Sequence, residues 1–282
     1  MEFLKIYHGK ITEALAMVDK SNIKTDRITG KRRYVDDGIT ITLPASAEIK
    51  VITHKLLMYA IAAFTSLNGK NAVNNQVVSF RLKDFLSECG VNVDKKPSVD
   101  KGRTVIKQEI DTLKNLRINI CEGSGAYEVN KNNLKLFNNN STIKNGNVNM
   151  VFTTDFAEYL IKRPIAIYLS SLLMCDGKKQ NAYRVGYRIA IHSSNKNNQI
   201  KGTASTLRVA TILKYVCLPT CYDLKKSRQS WRQKIKAKVD NAFDYLIQIQ
   251  FLKKWTYGSE NIEGYLDYES NKINFEVITP EE

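Results

Sequence analysis

The sequence predicts an α+β protein built as two units in tandem, each of three helices closed by a pair of strands. Three observations predict it. A chain of 282 residues, 43% hydrophobic and 25% charged, is long enough to bury two cores of ordinary size. Runs with helical apolar spacing and short runs of strand character follow each other in the same order twice. Finally, Ile110-Asp-Thr-Leu lies over Phe243-Asp-Tyr-Leu, with Leu116 over Ile249, and in both places a strand begins within a few residues.

Residues 1–44 hold short alternating stretches such as Gly38-Ile-Thr-Ile-Thr-Leu and a basic turn, Thr29-Gly-Lys-Arg-Arg, and are expected to form a strand-rich extension that is only partly packed. The first unit is then expected over 45–163. Its first helix runs from His54 to Leu67, capped by Thr53, with Leu57, Ala60, Ile61 and Phe64 on its apolar face and a stop at Asn68-Gly69. A strand-like Val77-Val-Ser-Phe and a short helix from Leu82 to Cys89 follow. A longer helix over 100–116 buries Ile106, Ile110, Leu113 and Leu116. Arg117-Ile-Asn-Ile-Cys and Val148-Asn-Met-Val-Phe are expected to pair as the closing strands, across a glycine- and asparagine-rich excursion.

The second unit, 164–282, repeats the plan. Helices are expected over Ala182–His192, Thr206–Val216 and Ser227–Gln248, and strands over Phe251–Tyr257 and Ile273–Ile278. Three helices closed by a two-stranded wing is the winged form of the helix-turn-helix, whose third helix enters the major groove of DNA.

Charge points to the same chemistry. The formal charge is +15, and between Lys225 and Lys238 seven basic side chains stand with no acidic one. They lie on a helix whose apolar positions include Trp231, Ile235, Val239 and Leu246. Clustered like charges repel, so a fold that carries them calls for a counter-charge, and nucleic acid is the common one; a solvated lysine-rich face is the plainer explanation. At 100° per residue Gln229, Ser230, Gln233 and Ala237 point away from the core, with Arg232 and Lys236 on one edge and Lys234 and Lys238 on the other. Amides suit adenine, and Arg or Lys suit phosphate and guanine. The candidate DNA contacts here are Arg228, Gln229, Arg232, Gln233, Lys234 and Lys236, with Trp231 a core anchor. In the first unit they are Lys101, Arg103, Thr104, Lys107 and Gln108, with Asp111 also outward. The lower charge of that helix suits weaker or dimer-related use.

Other classes fit poorly. The longest apolar run, Leu56–Phe64, is far short of the ~20 residues of a bilayer span, so no membrane partner is expected. The start lacks a secretory signal, which predicts a cytoplasmic protein. Cys89, Cys121, Cys175, Cys217 and Cys221 are odd in number and irregular in spacing, which suits reduced, buried thiols. His8, His54 and His192 are isolated, so no metal stands beside a nucleophilic tyrosine. Each Gly-Lys pair lacks the Ser or Thr of a phosphate loop. Asp37 with Glu48 and Lys50 makes a poor nuclease pattern, and Cys217, Cys221 and His192 lack a fourth zinc ligand. No catalytic role and no cofactor are expected.

The tract from Val151 to Tyr257 resembles the replication initiators of theta-replicating plasmids and related mobile elements. The likeness lies in Val151-Phe-Thr-Thr-Asp-Phe-Ala-Glu-Tyr-Leu, in Ala182-Tyr-Arg-Val-Gly-Tyr-Arg-Ile-Ala-Ile-His, and in the run from Lys214-Tyr-Val-Cys-Leu-Pro-Thr through Ser230-Trp-Arg-Gln-Lys-Ile to Phe251-Leu-Lys-Lys-Trp-Thr-Tyr. Thr53-His-Lys-Leu-Leu-Met-Tyr is similar to the family's opening helix. The resemblance implies binding to repeats in double-stranded origin DNA, help in opening an adjacent A·T-rich segment, and recruitment of host replication proteins such as a helicase or initiator. It also implies a homodimer formed through the first unit. A transcriptional repressor with the same double module remains the main alternative, and an RNA- or membrane-surface adaptor a third.

Overall fold

The computed structural model describes residues 3–19, 21–67, 76–122, 128–216, 218 and 231–278. The chain divides into two compact units, one of Leu4–Ile165 and one of Ala166–Glu282 with Met1–Phe3.

The first unit opens with β1 (Phe3–Tyr7), α1 (Lys10–Met17), β2 (Ile23–Thr25), β3 (Arg32–Asp36) and β4 (Ile39–Leu43). Then come α2 (Val51–Ser66), β5 (Val77–Arg81), α3 (Leu82–Glu88) and α4 (Lys96–Asn115). Four strands follow, β6 (Arg117–Glu122), β7 (Val129–Leu134), β8 (Thr142–Lys144) and β9 (Asn147–Val151), and then α5 (Thr154–Ile161). Thr53 is the third helical residue of α2 rather than its cap, and its hydroxyl accepts the Lys50 N–H at 2.9 Å. That bond satisfies a donor that the helix start would otherwise leave open.

Sheet order β5-β9-β8 closes the three helices α2, α3 and α4, so the winged-helix plan is present in this unit. The expected pairing of Arg117–Cys121 with Val148–Phe152 is corrected. β6 lies instead between β4 and β7 in a separate sheet of order β2-β3-β4-β6-β7, and β9 pairs with β5 and β8. The inserted β6–β7 pair carries the chain into that second sheet before it returns to make the wing.

The partly packed extension is likewise corrected. Ile39 and Ile41 of β4 sit opposite Ile120 and Ile118 of β6, and Tyr34, Ile39, Ile41 and Leu43 are all buried. Residues from Leu4 onward therefore belong to the first unit, because β2, β3 and β4 are strands of the same sheet that α4 feeds through β6. The adjoining core is aromatic, with Phe64 stacked on Phe152 at 4.7 Å and Phe137 edge-on to Phe152 at 4.8 Å.

The second unit has β10 (Ile165–Leu169), α6 (Gln180–Ser194), α7 (Lys196–Ile200), β11 (Thr206–Arg208), α8 (Val209–Tyr215), α9 (Ala237–Gln248), β12 (Leu252–Tyr257), α10 (Tyr265–Ser270) and β13 (Lys272–Val277). Sheet order β11-β13-β12 matches β5-β9-β8 of the first unit position for position. Thr206–Arg208, expected as the start of a helix, is the strand that pairs with β13. α6 and α9 pack closely at Gly186, where an added Cβ would stand 2.4 Å from Leu172 Cδ2 and 2.9 Å from Leu246 Cδ2.

Candidate nucleic-acid interface

In the second unit, α9 is preceded by helical Trp231 and a π-helical turn, Arg232–Lys236. Such turns insert an extra residue into a helix. Arg228 and Gln229 lie outside the described residues.

The apolar spacing holds from Trp231 through the turn and along α9. Trp231, Ile235, Val239, Ala242, Phe243 and Leu246 are buried, while Arg232, Gln233, Lys234 and Lys238 are exposed. Trp231 packs at 5.1 Å on Tyr268 and 5.4 Å on Tyr265, as a core anchor.

The two edges of the helix differ in a way that the sequence did not reveal. On one edge the cations are engaged by the wing. Arg232 donates to the carbonyls of Ile262 (3.1 Å) and Glu263 (3.2 Å). Lys236 donates to Asp240 at 2.6 Å, and its ammonium stands 4.7 Å from the centre of the Tyr257 ring. Tyr257 donates to the same Asp240 carboxylate at 2.6 Å. Burial raises the Tyr257 phenol well above its ordinary value, and nearby Tyr268 and Asp240 add to the rise. The other edge, Gln233, Lys234 and Lys238, faces solvent. Among the described residues of this helix, these three side chains are placed to meet a polyanion.

In the first unit Lys101, Arg103, Thr104, Lys107 and Gln108 are all exposed on α4. The Thr104 hydroxyl donates back to the Asp100 carbonyl at 3.1 Å. Gly102 lets α4 lie against α3, since a Cβ there would stand 2.7 Å from Leu86 Cδ1. Toward its C-terminal end the helix turns acidic. Glu109 is buried and accepts the Thr53 hydroxyl at 2.6 Å, with Lys50 at 3.5 Å. Gln108 borders a cavity of about 440 Å³ that Glu48, Glu109 and Asp111 also line. Polyanion contact on α4 is thus favoured from Lys101 to Lys107.

Lys144 was missed as a candidate. It ends β8 just before Asn145-Gly146, whose φ values of 52° and 77° make the tight turn at the tip of the first wing. Asn-Gly between alternating runs was the available signal.

The nuclease pattern separates in space, with Asp37 paired to Lys10 at 3.5 Å and Lys50 turned to Glu109. His192 uses both ring nitrogens, on the Thr203 carbonyl at 2.8 Å and the Asn198 amide at 3.0 Å. Cys217 and Cys221 lie outside the described residues. Among those residues no cluster of His, Cys, Asp or Glu is placed to hold a metal ion, and no helix is long and apolar enough to cross a membrane.

No protein-family model matches the sequence, and no curated protein does. The crystal structure of the Pi initiator protein in complex with iteron DNA aligns over 99% of this chain and 98% of that one, with a TM-score of 0.58 and 12% identity. The chain has the fold of the Pi initiator. RctB domains 2–3 align over 95% of this chain and 97% of that one, with a TM-score of 0.47 and 12% identity. The Pi likeness runs through both units, the β2-to-β7 sheet included, since it covers nearly all of either chain.

Proposed function

We propose that this protein is a non-enzymatic, sequence-specific DNA-binding replication initiator that recognises repeats at the origin of a plasmid or mobile element, helps to open it and recruits host replication proteins. The observation that carries the reading is the exposed edge Gln233, Lys234 and Lys238 on the third helix of a winged-helix unit, in a chain with the fold of an initiator solved on iteron DNA. A third helix of this kind puts amides at base edges and cations on phosphates. The α4 face from Lys101 to Lys107 gives the first unit a second, weaker contact or a place in a homodimer.

A repressor would use the same double module. Selection of bound fragments from the protein's own replicon, followed by footprinting, separates the two. Protection of tandem repeats at the origin is the expected result. Protection of a single palindrome upstream of a gene gives the repressor, and absence of any footprint ends both readings.

A further inference from the structure

The solvent face of the β2-to-β7 sheet carries charge that neither third helix accounts for. Register places Lys24 of β2 opposite Arg33 of β3, Arg33 opposite Thr42 of β4, and Thr42 opposite Arg117 of β6. The adjoining row, Tyr34, Ile41 and Ile118, is buried, so the basic row lies on the opposite face, where Arg117 is half-buried and donates to the carbonyls of Lys114 (3.1 Å) and Leu116 (2.8 Å). Lys24 and Arg33 are both exposed, and among the described residues neither is in an ion pair. Like charges directly opposite each other weaken a strand pair, so this placement costs the fold something.

The same two strands end in a turn of set shape. The Asp26 carboxylate accepts the N–H groups of Ile28 at 2.9 Å and Thr29 at 2.8 Å, and Gly30 (φ +64°) donates to the Asp26 carbonyl at 2.9 Å. These amides, Thr29 first, hold the Asp26 carboxyl below its usual range, and Arg33 adds to the effect. The turn's carboxylate is thus committed to its own backbone. Arg27, Lys31 and Ile28 are left exposed, Ile28 at 96%. Apolar side chains flanked by cations are what minor-groove proteins press against base steps.

We propose that the β2–β3 ribbon is a third contact with duplex DNA: Lys24 and Arg33 seat one phosphate backbone, and the turn enters the adjacent minor groove with Ile28 at its tip. The inference rests on the DNA-binding reading above.

The test uses the full chain and a mixed-sequence duplex, with binding followed by fluorescence anisotropy across a salt series. Lys24→Gln/Arg33→Gln and Arg27→Gln/Lys31→Gln are each expected to make the slope of log K against log salt shallower by about 1.8, at ~0.9 for each phosphate no longer neutralised. Ile28→Ala is expected to keep the slope and weaken binding several-fold. All five side chains are exposed, and Lys24→Gln/Arg33→Gln relieves a repulsion, so thermal melts at or above the wild-type value are expected and serve as the control for folding. Wild-type slopes in both double variants, alongside a shallower slope for Lys234→Gln, overturn the ribbon proposal and leave the DNA-binding reading standing. A wild-type protein with no salt-dependent affinity for duplex overturns both. Slopes that change on anionic vesicles and not on duplex overturn the ribbon proposal as well.

Discussion

Tyr257 of the second wing donates a hydrogen bond of 2.6 Å to Asp240 of α9, and the same carboxylate holds Lys236 at 2.6 Å. Helix and wing are thereby joined through one acidic group. Tyr257→Phe removes one of the two donors to that carboxylate, and hydrogen bonds to charged groups contribute about 1.5–3 kcal/mol. The expected outcome is a loss in that range in urea unfolding, with the fold kept. Lys236 retains its ion pair, so DNA affinity should change less than with Lys234→Ala.

Lys234 and Gln233 are exposed side by side and should behave differently. Lys234→Ala is expected to weaken binding to every duplex and to lower the salt slope by about one unit, as for a single phosphate. Gln233→Ala is expected to relax selectivity at a single base position, with a change of about 1–3 kcal/mol in discrimination. Selection from a randomised duplex pool reads both. Identical effects from the two variants would show that neither reads a base.

Gly186 should resist substitution. Alanine in mid-helix gains about 0.5–1 kcal/mol over glycine, whereas overpacking a closed core costs about 1–3 kcal/mol. Here the new methyl meets Leu172 at 2.4 Å and Leu246 at 2.9 Å, both fully buried, so the core must shift to admit it. Overpacking wins, and Gly186→Ala is expected to lower stability in thermal and chemical unfolding.

Thr53→Val leaves the buried Glu109 carboxylate without its hydroxyl donor at 2.6 Å and with Lys50 alone at 3.5 Å. A buried charged acceptor that loses a partner costs about 1.5–3 kcal/mol, so urea unfolding should show a loss of that order. Thr53→Ser keeps the donor and is expected to recover most of it.

Burial lowers the pKa of His192, with Arg188 adding to the fall and the Thr203 carbonyl opposing it. The folded state thus binds its proton less readily than the unfolded state. Stability from this group is complete above the ordinary imidazole value of about 6.5, falls as pH drops through the window below it, and levels off beneath the folded value. The difference in stability between wild type and His192→Gln, followed by urea unfolding against pH, should show that slope and be flat above about pH 7.

The sequence disclosed the second unit well because its apolar positions keep helical spacing from Trp231 to Leu246, and burial follows that spacing. It disclosed the first unit less well. Strands Arg117–Glu122 and Asn147–Val151 are equally strand-like, and nothing local says that one joins residues 39–42 while the other joins 77–81. Partner choice in a sheet is decided by distant residues, and alternation alone does not carry it. The same limit applied to the interface. Exposure of Lys234 could be read from phase, but the engagement of Arg232 by Ile262 and Glu263 depends on a wing thirty residues away. The π turn at Arg232–Lys236 has no sequence signature at all.

The pairing of β4 with β6 sets an order of events on the ribosome. Leu43 and Arg117 are separated by α2, α3 and α4, and at ~5–20 residues per second the intervening chain takes about 4–15 s to emerge. Throughout that interval Ile39 and Ile41 offer an apolar strand with one edge vacant, a template to which another nascent chain can attach. Removing the first 44 residues would invert the hazard by stripping β6 of its neighbour. Any shortened form of this protein that is to stay monomeric should therefore begin before β2 or after the first unit has ended.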